Sequence, residues 1–559
     1  MCCRAEGPAG VRRPAFSLCA RSARPALPEQ LAVLVVLFGV LALDAATAMT
    51  TAQRNDDVSS TILADAPAPD RANTTDDLEA AKGADAVRDV EVKEEGARDV
   101  PAEWLESPEH PWNWPLSTKW TNTTVIAVTG FLSTLDSSIF VPAMPILEDR
   151  YHSSREVITL TTSLYVAGLG CGPFVMAPIA ELYGRQRAYS ISMIGFTLMN
   201  LVCCFVDSLP GLIVLRFLSG FFGSSGPGLG VATISDLFRP QERGRPIAIY
   251  AIGPMLGPVL GSILGNWLVL LDFRWPFRLM TILIGLNTLA VLFLMRETYA
   301  PVLERAYLAR RNGRGKADKP SRSLAKAVVV RTFSRPPRML FNPVCALFAT
   351  YYAYTYGIIY VFIVSLPLLF AKHDPPTGIF TYGWPTGTAG LCYIGLGIGF
   401  VSSAATAALF QDRIYQYLSR KYKNQGVPEY RLVITQIGMI IFPIGLFIFG
   451  WTAQAQTHWM GPMIGSIIFS YGLMLTFNSI QNFIVDAFVP YSAAAMAAAT
   501  LLRSSTGAIL PIFSPQLFIN LNYGLGATLL ACVSLPAVPA PLILFMMGEK
   551  LRDRWRFKA

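Results

Sequence analysis

Charge is scarce in this chain. Asp, Glu, Lys and Arg make up 15% of its 559 residues, where a soluble protein carries about 25%. A soluble domain of this length would lack the polar surface to stay dissolved. Histidine is scarcer still: His110, His152, His373 and His458 are the full set, all in tails or loops or at the edges of apolar blocks. A histidine-based proton relay or metal centre inside those blocks is thereby excluded. The nine cysteines show no paired spacing. Cys171, Cys203, Cys204, Cys345, Cys392 and Cys532 fall within apolar blocks, where they serve as small packing residues, so neither a zinc site nor a disulfide framework is expected. No Gly-x4-Gly-Lys-Ser/Thr loop occurs, which argues against a nucleotide as the energy source. No cofactor and no metal is called for.

What the chain has instead is apolar sequence in long runs. Hydrophobic residues make up 52% and the mean hydropathy is +0.42. The runs approach 20 residues, the length at which a helix crosses a hydrocarbon core of about 30 Å. Glycine (44) and proline (39) recur inside them, as neighbouring helices in a membrane bundle permit. The net charge of +9 sits between the apolar blocks and not on one folded face, so nucleic acid is not an expected partner; the lipid bilayer is. The fold class expected is all-α and integral to the membrane. Twelve spans are predicted: 121–147, 157–180, 188–207, 211–236, 246–268 and 275–295, then 343–370, 388–410, 432–453, 460–488, 492–517 and 524–548. Residues 119–295 and 343–548 form two six-helix bundles joined by a basic linker, 296–342.

The ends read differently. Arg12, Arg13, Arg21 and Arg24 precede a short apolar run, Leu31 to Leu43, and Ala46-Thr47-Ala48 follows. Residues 1–48 are either a signal-like segment with a cleavage site or a doubtful extension upstream of a true start at Met49. Residues 49–118 hold 16 Asp and Glu against 6 Lys and Arg; such a segment cannot bury enough surface to fold and is expected to be a disordered acidic tail. The sequon at Asn73 matters only if that tail faces outward. With both ends inside, the inner loops and the basic tail 549–559 hold about 27 Lys and Arg and the outer loops about 5, the distribution that the positive-inside rule prefers. The tail is then cytoplasmic, which sits badly with a cleaved signal peptide.

An internal repeat divides the spans. Asp236-Leu-Phe238-Arg-Pro240 ends the fourth and Asp486-Ala-Phe488-Val-Pro490 ends the tenth, an offset of 250 residues; Gly257 and Gly507 share that offset, and Glu181 more weakly matches Asp412. Carriers built from repeats bind substrate near the midplane, between the halves.

Four local patterns add to this. Ala177-Pro-Ile-Ala-Glu181-Leu-Tyr-Gly184-Arg185-Gln-Arg187 follows the second span. Arg216-Phe-Leu-Ser-Gly220-Phe-Phe-Gly223 lies in the fourth. Gly253-Pro254-Met-Leu-Gly257-Pro258-Val-Leu-Gly261-Ser262 lies in the fifth. Arg296-Glu-Thr-Tyr299-Ala-Pro301 follows the sixth, and Asn113-Trp114 precedes the first. Over residues 108–548 the chain resembles the major facilitator superfamily, in its fungal twelve-span drug:proton antiporter branch. Ala177 and Ser262 stand where that family often has glycine. In the first pattern Gly184 permits a sharp turn, and Arg185 and Arg187 can reach Glu181 and Asp236 as a latch between conformations. The resemblance implies a link between Arg216 and proton transfer, an interfacial arginine being the alternative. It associates Gly253, Pro254, Gly257, Pro258 and Gly261 with export; glycines four apart also pack helices closely without any directional meaning.

Asp136, in Leu135-Asp136-Ser137-Ser138, sits near the middle of the first span. It is a candidate proton or cation-substrate site or a structural hydrogen-bonding residue. Asp486, at the end of the tenth span, reads as a latch more than a proton carrier. Arg503 is the most deeply placed cation and calls for a partner carboxylate or an anionic substrate. Tyr352, Tyr356 and Tyr360 share one face of the seventh span; with Asn478, Gln481 and Asn482 of the tenth they either line an amphipathic cavity or make polar contacts between helices. The expected function is proton-coupled export of small organic compounds by a monomer in the cell membrane. A proton-coupled importer or polyamine carrier, and a non-transporting sensor, are the alternatives; a membrane enzyme is disfavoured.

Overall fold

Within a bilayer no water is available to the backbone, so an apolar run must satisfy its own N–H and C=O groups, and a helix does so within one segment. The computed structural model describes residues 102–239, 242–312, 321–372, 378–421, 427–489 and 491–546, and among them only helices, 3-10 turns and one isolated bridge, Ala371 to Trp384, occur. The signal-like segment 1–48, Asn73, most of the acidic tail and the basic tail 549–559 lie outside the described residues.

Each predicted span corresponds to a helix. The first half contains Leu116–Asp136 (continued after a 3-10 turn by Met144–Tyr151), Arg155–Tyr183, Arg185–Cys203, Leu209–Gly223 with Ser225–Leu237, Gly244–Leu268 and Trp275–Leu294. The second half contains Pro343–Phe370, Ile394–Lys421, Leu432–Gln454, Met460–Ala487 and one long helix, Ser492–Ser534. That long helix is broken at Asn522 (φ 57°, ψ 173°), which separates the eleventh span from the twelfth. Among the described residues ten helices are long and apolar enough to cross a membrane on length and composition, with Ser492–Met546 counted once; the more polar third span, Arg185–Cys203, is not among them.

The halves repeat in space as in sequence. The second span packs against the eleventh and the fifth against the start of the eighth, pairs related by exchange of the halves. Gly257 abuts Thr134 of the first span, and Gly507 abuts Tyr356 of the seventh. The Gly257–Gly507 match is thus a repeated close approach, at which any side chain would collide with the facing helix.

Two expectations are corrected. The linker is not a bare loop: Ala300–Arg311 and Arg322–Met339 are helices, the second capped by Ser321, whose Oγ accepts from Leu324 N at 3.2 Å. Residues 102–118, assigned to the disordered tail, are ordered. Trp104, 2% exposed, stacks near His110 and Tyr307 of the first linker helix, and Glu109 pairs with Arg310 at 2.7 Å. The aromatics after residue 103 supply the apolar surface that the acidic stretch before them lacks.

Candidate functional site

The first and fourth spans place the most buried charges among the described residues side by side. The helix ending at Asp136 brings its carboxylate to Arg216, and both side chains are 0% exposed. Arg216 donates from one nitrogen to Asp136 Oδ2 at 3.0 Å and from the other to the Asp136 carbonyl at 2.8 Å. Asn200 of the third span reaches the same Oδ2 at 3.4 Å and Ser219 Oγ at 2.8 Å. The guanidinium carbon lies 4.3 Å from the Tyr165 ring centroid. Asp136 Oδ1 accepts no hydrogen bond among the described residues. Arg216 is sealed inside the first half. Tyr165 and Asn200, which complete the cluster, carried no sequence signal beyond being polar in an apolar run.

Between the halves lies a cavity. Its walls are mostly apolar and aromatic, and include Thr134, Pro254 and Pro258 from the first half and Tyr356, Tyr360, Phe477 and Arg503 from the second. The fifth-span motif serves two surfaces at once. Gly257 and Gly261 meet the backbone of the first span at Leu135, and Gly253 lies against Phe131, while Pro254 and Pro258, one position on, face the cavity. The glycines thus set how closely the cavity wall approaches the helix that carries Asp136.

Of the expected cavity residues, Tyr356 and Tyr360 line it, whereas Tyr352 is fully buried behind them. Tyr352 donates to Gln481 Oε1 at 3.4 Å and stacks on Phe477, with ring centroids 4.2 Å apart. Asn482 bonds Gln411 of the eighth span at 3.3 Å, a contact between helices. Asn478 is half-buried and outside the lining. Arg503 lines the cavity, donates to Tyr352 Oη at 3.3 Å and stands 4.8 Å from the Tyr356 ring centroid. Its partners are tyrosines; the carboxylate partner that the sequence called for is not found among the described residues. Hydrogen-bonded hydroxyls lead from the cavity to the first span beside the charge pair, ending at Ser137 Oγ, which donates to the Thr134 carbonyl at 2.6 Å. Tyr356 Oη donates to Tyr360 Oη at 3.5 Å, and Tyr360 donates at 3.0 Å to Ser137 Oγ, the residue after Asp136.

At one end of the bundle the residues expected to form a latch pair differently from the expectation. Arg185 pairs with Asp236 at 3.0 Å and its guanidinium carbon lies 4.9 Å from the Tyr299 ring centroid. Glu181 and Arg187 are exposed; Arg187 donates only to Tyr183 O, at 3.4 Å. The anion at this turn is Glu297. Its carboxylate accepts from Arg185 N at 2.7 Å, Gln186 N at 3.2 Å and Tyr299 N at 3.0 Å, and so caps the third span. Gly184, at φ 106°, gives it room. The second half repeats the device: Arg431 pairs with Asp486 and, at 3.4 Å, with Asp412, and its guanidinium carbon lies 5.1 Å from the Tyr415 ring centroid. Arg431 was not singled out in the sequence because it stands outside the repeated Asp-x-Phe-x-Pro segment.

A central cavity between two repeated six-helix halves, with the buried charge beside it and not in the lipid, is the architecture of a multi-pass membrane transporter and not of an enzyme. The comparisons agree. The Major Facilitator Superfamily profile matches residues 126–511, and the chain belongs to that family. It is 35% identical over 481 residues to the MFS-type transporter penM of Penicillium rubens, covering 83% of this chain and 92% of that one. It is 34% identical over 459 residues to the MFS transporter cpaT of Aspergillus oryzae (81% and 91%) and 33% identical over 484 residues to the efflux pump radE of Floropilus chiversii (85% and 88%). Among solved structures, the xylose transporter XylE of E. coli in a partially occluded inward-open conformation superposes with a TM-score of 0.57 at 14% identity, covering 77% of this chain and 98% of that one. At that identity the likeness is one of fold.

Proposed function

We propose that this transporter exports small organic compounds in exchange for protons, by alternating access about the central cavity. The observation that carries the reading is the sealed Asp136–Arg216 pair, with the Tyr356 and Tyr360 hydroxyls running from the cavity to Ser137 next to it in the chain. A buried ion pair is stable only while both charges persist. A proton arriving on Asp136 Oδ1, the oxygen with no partner, cancels the carboxylate charge and leaves Arg216 held by the Asp136 carbonyl and the Tyr165 face. Arg216 then favours a different helix arrangement, so protonation biases the two access states. Each proton moved across the membrane brings about 2.3 kcal/mol per 100 mV of potential. Export as the direction is supported by the fifth-span glycine–proline face and by a relative named as an efflux pump. The basic linker supports both termini facing the cytoplasm of a cell-membrane protein that acts as a monomer.

The test is intracellular accumulation. Cells producing the full chain should hold less of a panel of lipophilic drugs than cells lacking it, and collapsing the proton gradient should erase the difference. Higher accumulation in the producing cells would reverse the direction.

A further inference from the structure

The reading above leaves the cargo open, and the cavity's charge narrows it. We infer that the cavity is built for flat conjugated organic anions, carboxylates or acidic enols, with Arg503 as their counter-charge; this rests on the transport reading and names its substrate class. Among the described lining residues, Arg503 alone bears a formal charge, no Asp, Glu, Lys or His contributes, and the other titratable groups are the phenols of Tyr356 and Tyr360. The nearest carboxylate of the charge network, Asp136, is committed to Arg216 and fully buried.

A guanidinium presents five donors in a plane suited to carboxylate. At Arg503 one hydrogen bond to Tyr352 and the face of Tyr356 are its contacts, and Nε has no partner. These partners are neutral, so in a low-dielectric cavity the cation remains uncompensated until an anion enters. A cationic cargo would meet like charge with no carboxylate to receive it, which sets the site against polyamines.

The shape requirement comes from the rings beside it. Phe477 stacks between Tyr352 and Tyr356, with centroids 4.2 and 6.0 Å away and interplanar angles of 17° and 21°. Phe477 is nearly parallel to each tyrosine ring, and Phe477 and Tyr356 line the cavity. A flat ligand lies along such a surface at little entropic cost, with its charged end toward Arg503.

Binding to the purified full-length chain in detergent tests this without any gradient. Three fluorescent probes of one shape differ only in the charged end: pyrene-1-carboxylate, its primary amide, and pyrenemethylammonium. The carboxylate should bind roughly tenfold or more tightly than either of the others, the value of one charge-assisted contact. Arg503→Gln should remove the difference, and Arg503→Lys should keep part of it. Equal or tighter binding of the ammonium probe by the unmodified chain overturns the inference, as does binding of none of the three or a preference that survives Arg503→Gln. The ordering on the unmodified chain decides even if a variant fails to fold. A carboxylate preference without export from cells would sink the export reading and leave the binding class standing.

Discussion

Arg216 and Asp136 meet at 3.0 Å with no exposed surface on either side chain, in a cluster that holds Asn200, Ser219 and the Tyr165 ring. The pair lies on the first and fourth spans, so it reports any motion of one against the other. Its strength is not in stability, since two buried charges gain little over an apolar pair of equal volume. Its consequence is bistability: removal of either charge strands the other.

The charge pair gives the first prediction. Asp136→Asn keeps the shape and an acceptor but removes the titratable group. Export by this variant should become insensitive to external pH, with the protein still present at the membrane by surface labelling. Unchanged pH-sensitive export would remove Asp136 from coupling. Arg216→Met alone should cost about 3–5 kcal/mol of stability, and the Asp136→Asn/Arg216→Met double variant should recover part of it, as thermal unfolding in detergent would reveal.

The second concerns the turn after the second span. Glu297→Ala removes the acceptor from two backbone N–H groups at the start of the third span, those of Arg185 and Gln186, and from that of Tyr299 after the sixth. It should lower stability by about 1–2 kcal/mol, whereas Glu181→Ala should change it by less than about 0.5 kcal/mol, because Glu181 is exposed. A larger loss at Glu181 than at Glu297 would restore the arrangement read from the motif alone.

Third, Gly257→Val places a side chain against the first span, where even a Cβ would lie 2.8 Å from Leu135 N. Backbone cannot yield as a side chain does, so a loss of about 1–3 kcal/mol or more is expected. Gly244→Val, where nothing lies within 4 Å, is the control. Equal melting temperatures for the two variants would refute the close approach.

The fourth prediction is a pH dependence outside the membrane. Burial beside Trp104 and Trp112, and then the Arg239 charge, hold the His110 imidazole below its ordinary 6.5. Its Nδ1 also accepts from Trp112 N at 3.2 Å, which the protonated ring cannot do. The undocked segment binds a proton that the docked one resists. Docking is therefore fully favourable above about pH 6.5 and weakens as pH falls through it. Acidification to pH 5 should speed proteolysis between residues 102 and 115, and His110→Gln should flatten that dependence. A cleavage rate independent of pH in the unmodified chain would exclude His110 as its cause.

Much of the architecture was legible without coordinates. The spans follow from segment length and from the need to close backbone hydrogen bonds in lipid, which are local properties. The division into halves followed from Asp236 and Asp486, and the contacts of Gly257 and Gly507 realise it. What the chain alone could not supply was pairing between distant side chains. Asp136 and Arg216 were each singled out, but their contact across 80 positions depends on how the first and fourth spans cross. Glu297 sat in a motif that seemed only to mark relatives, because its partners are backbone N–H groups of another turn. Arg503 was expected to face a partner carboxylate or an anionic substrate, and the fold sets it among tyrosines at the cavity wall. Periodicity and composition record which face of a helix is apolar; which faces meet, and what stands opposite a buried charge, is decided by packing between helices far apart in sequence.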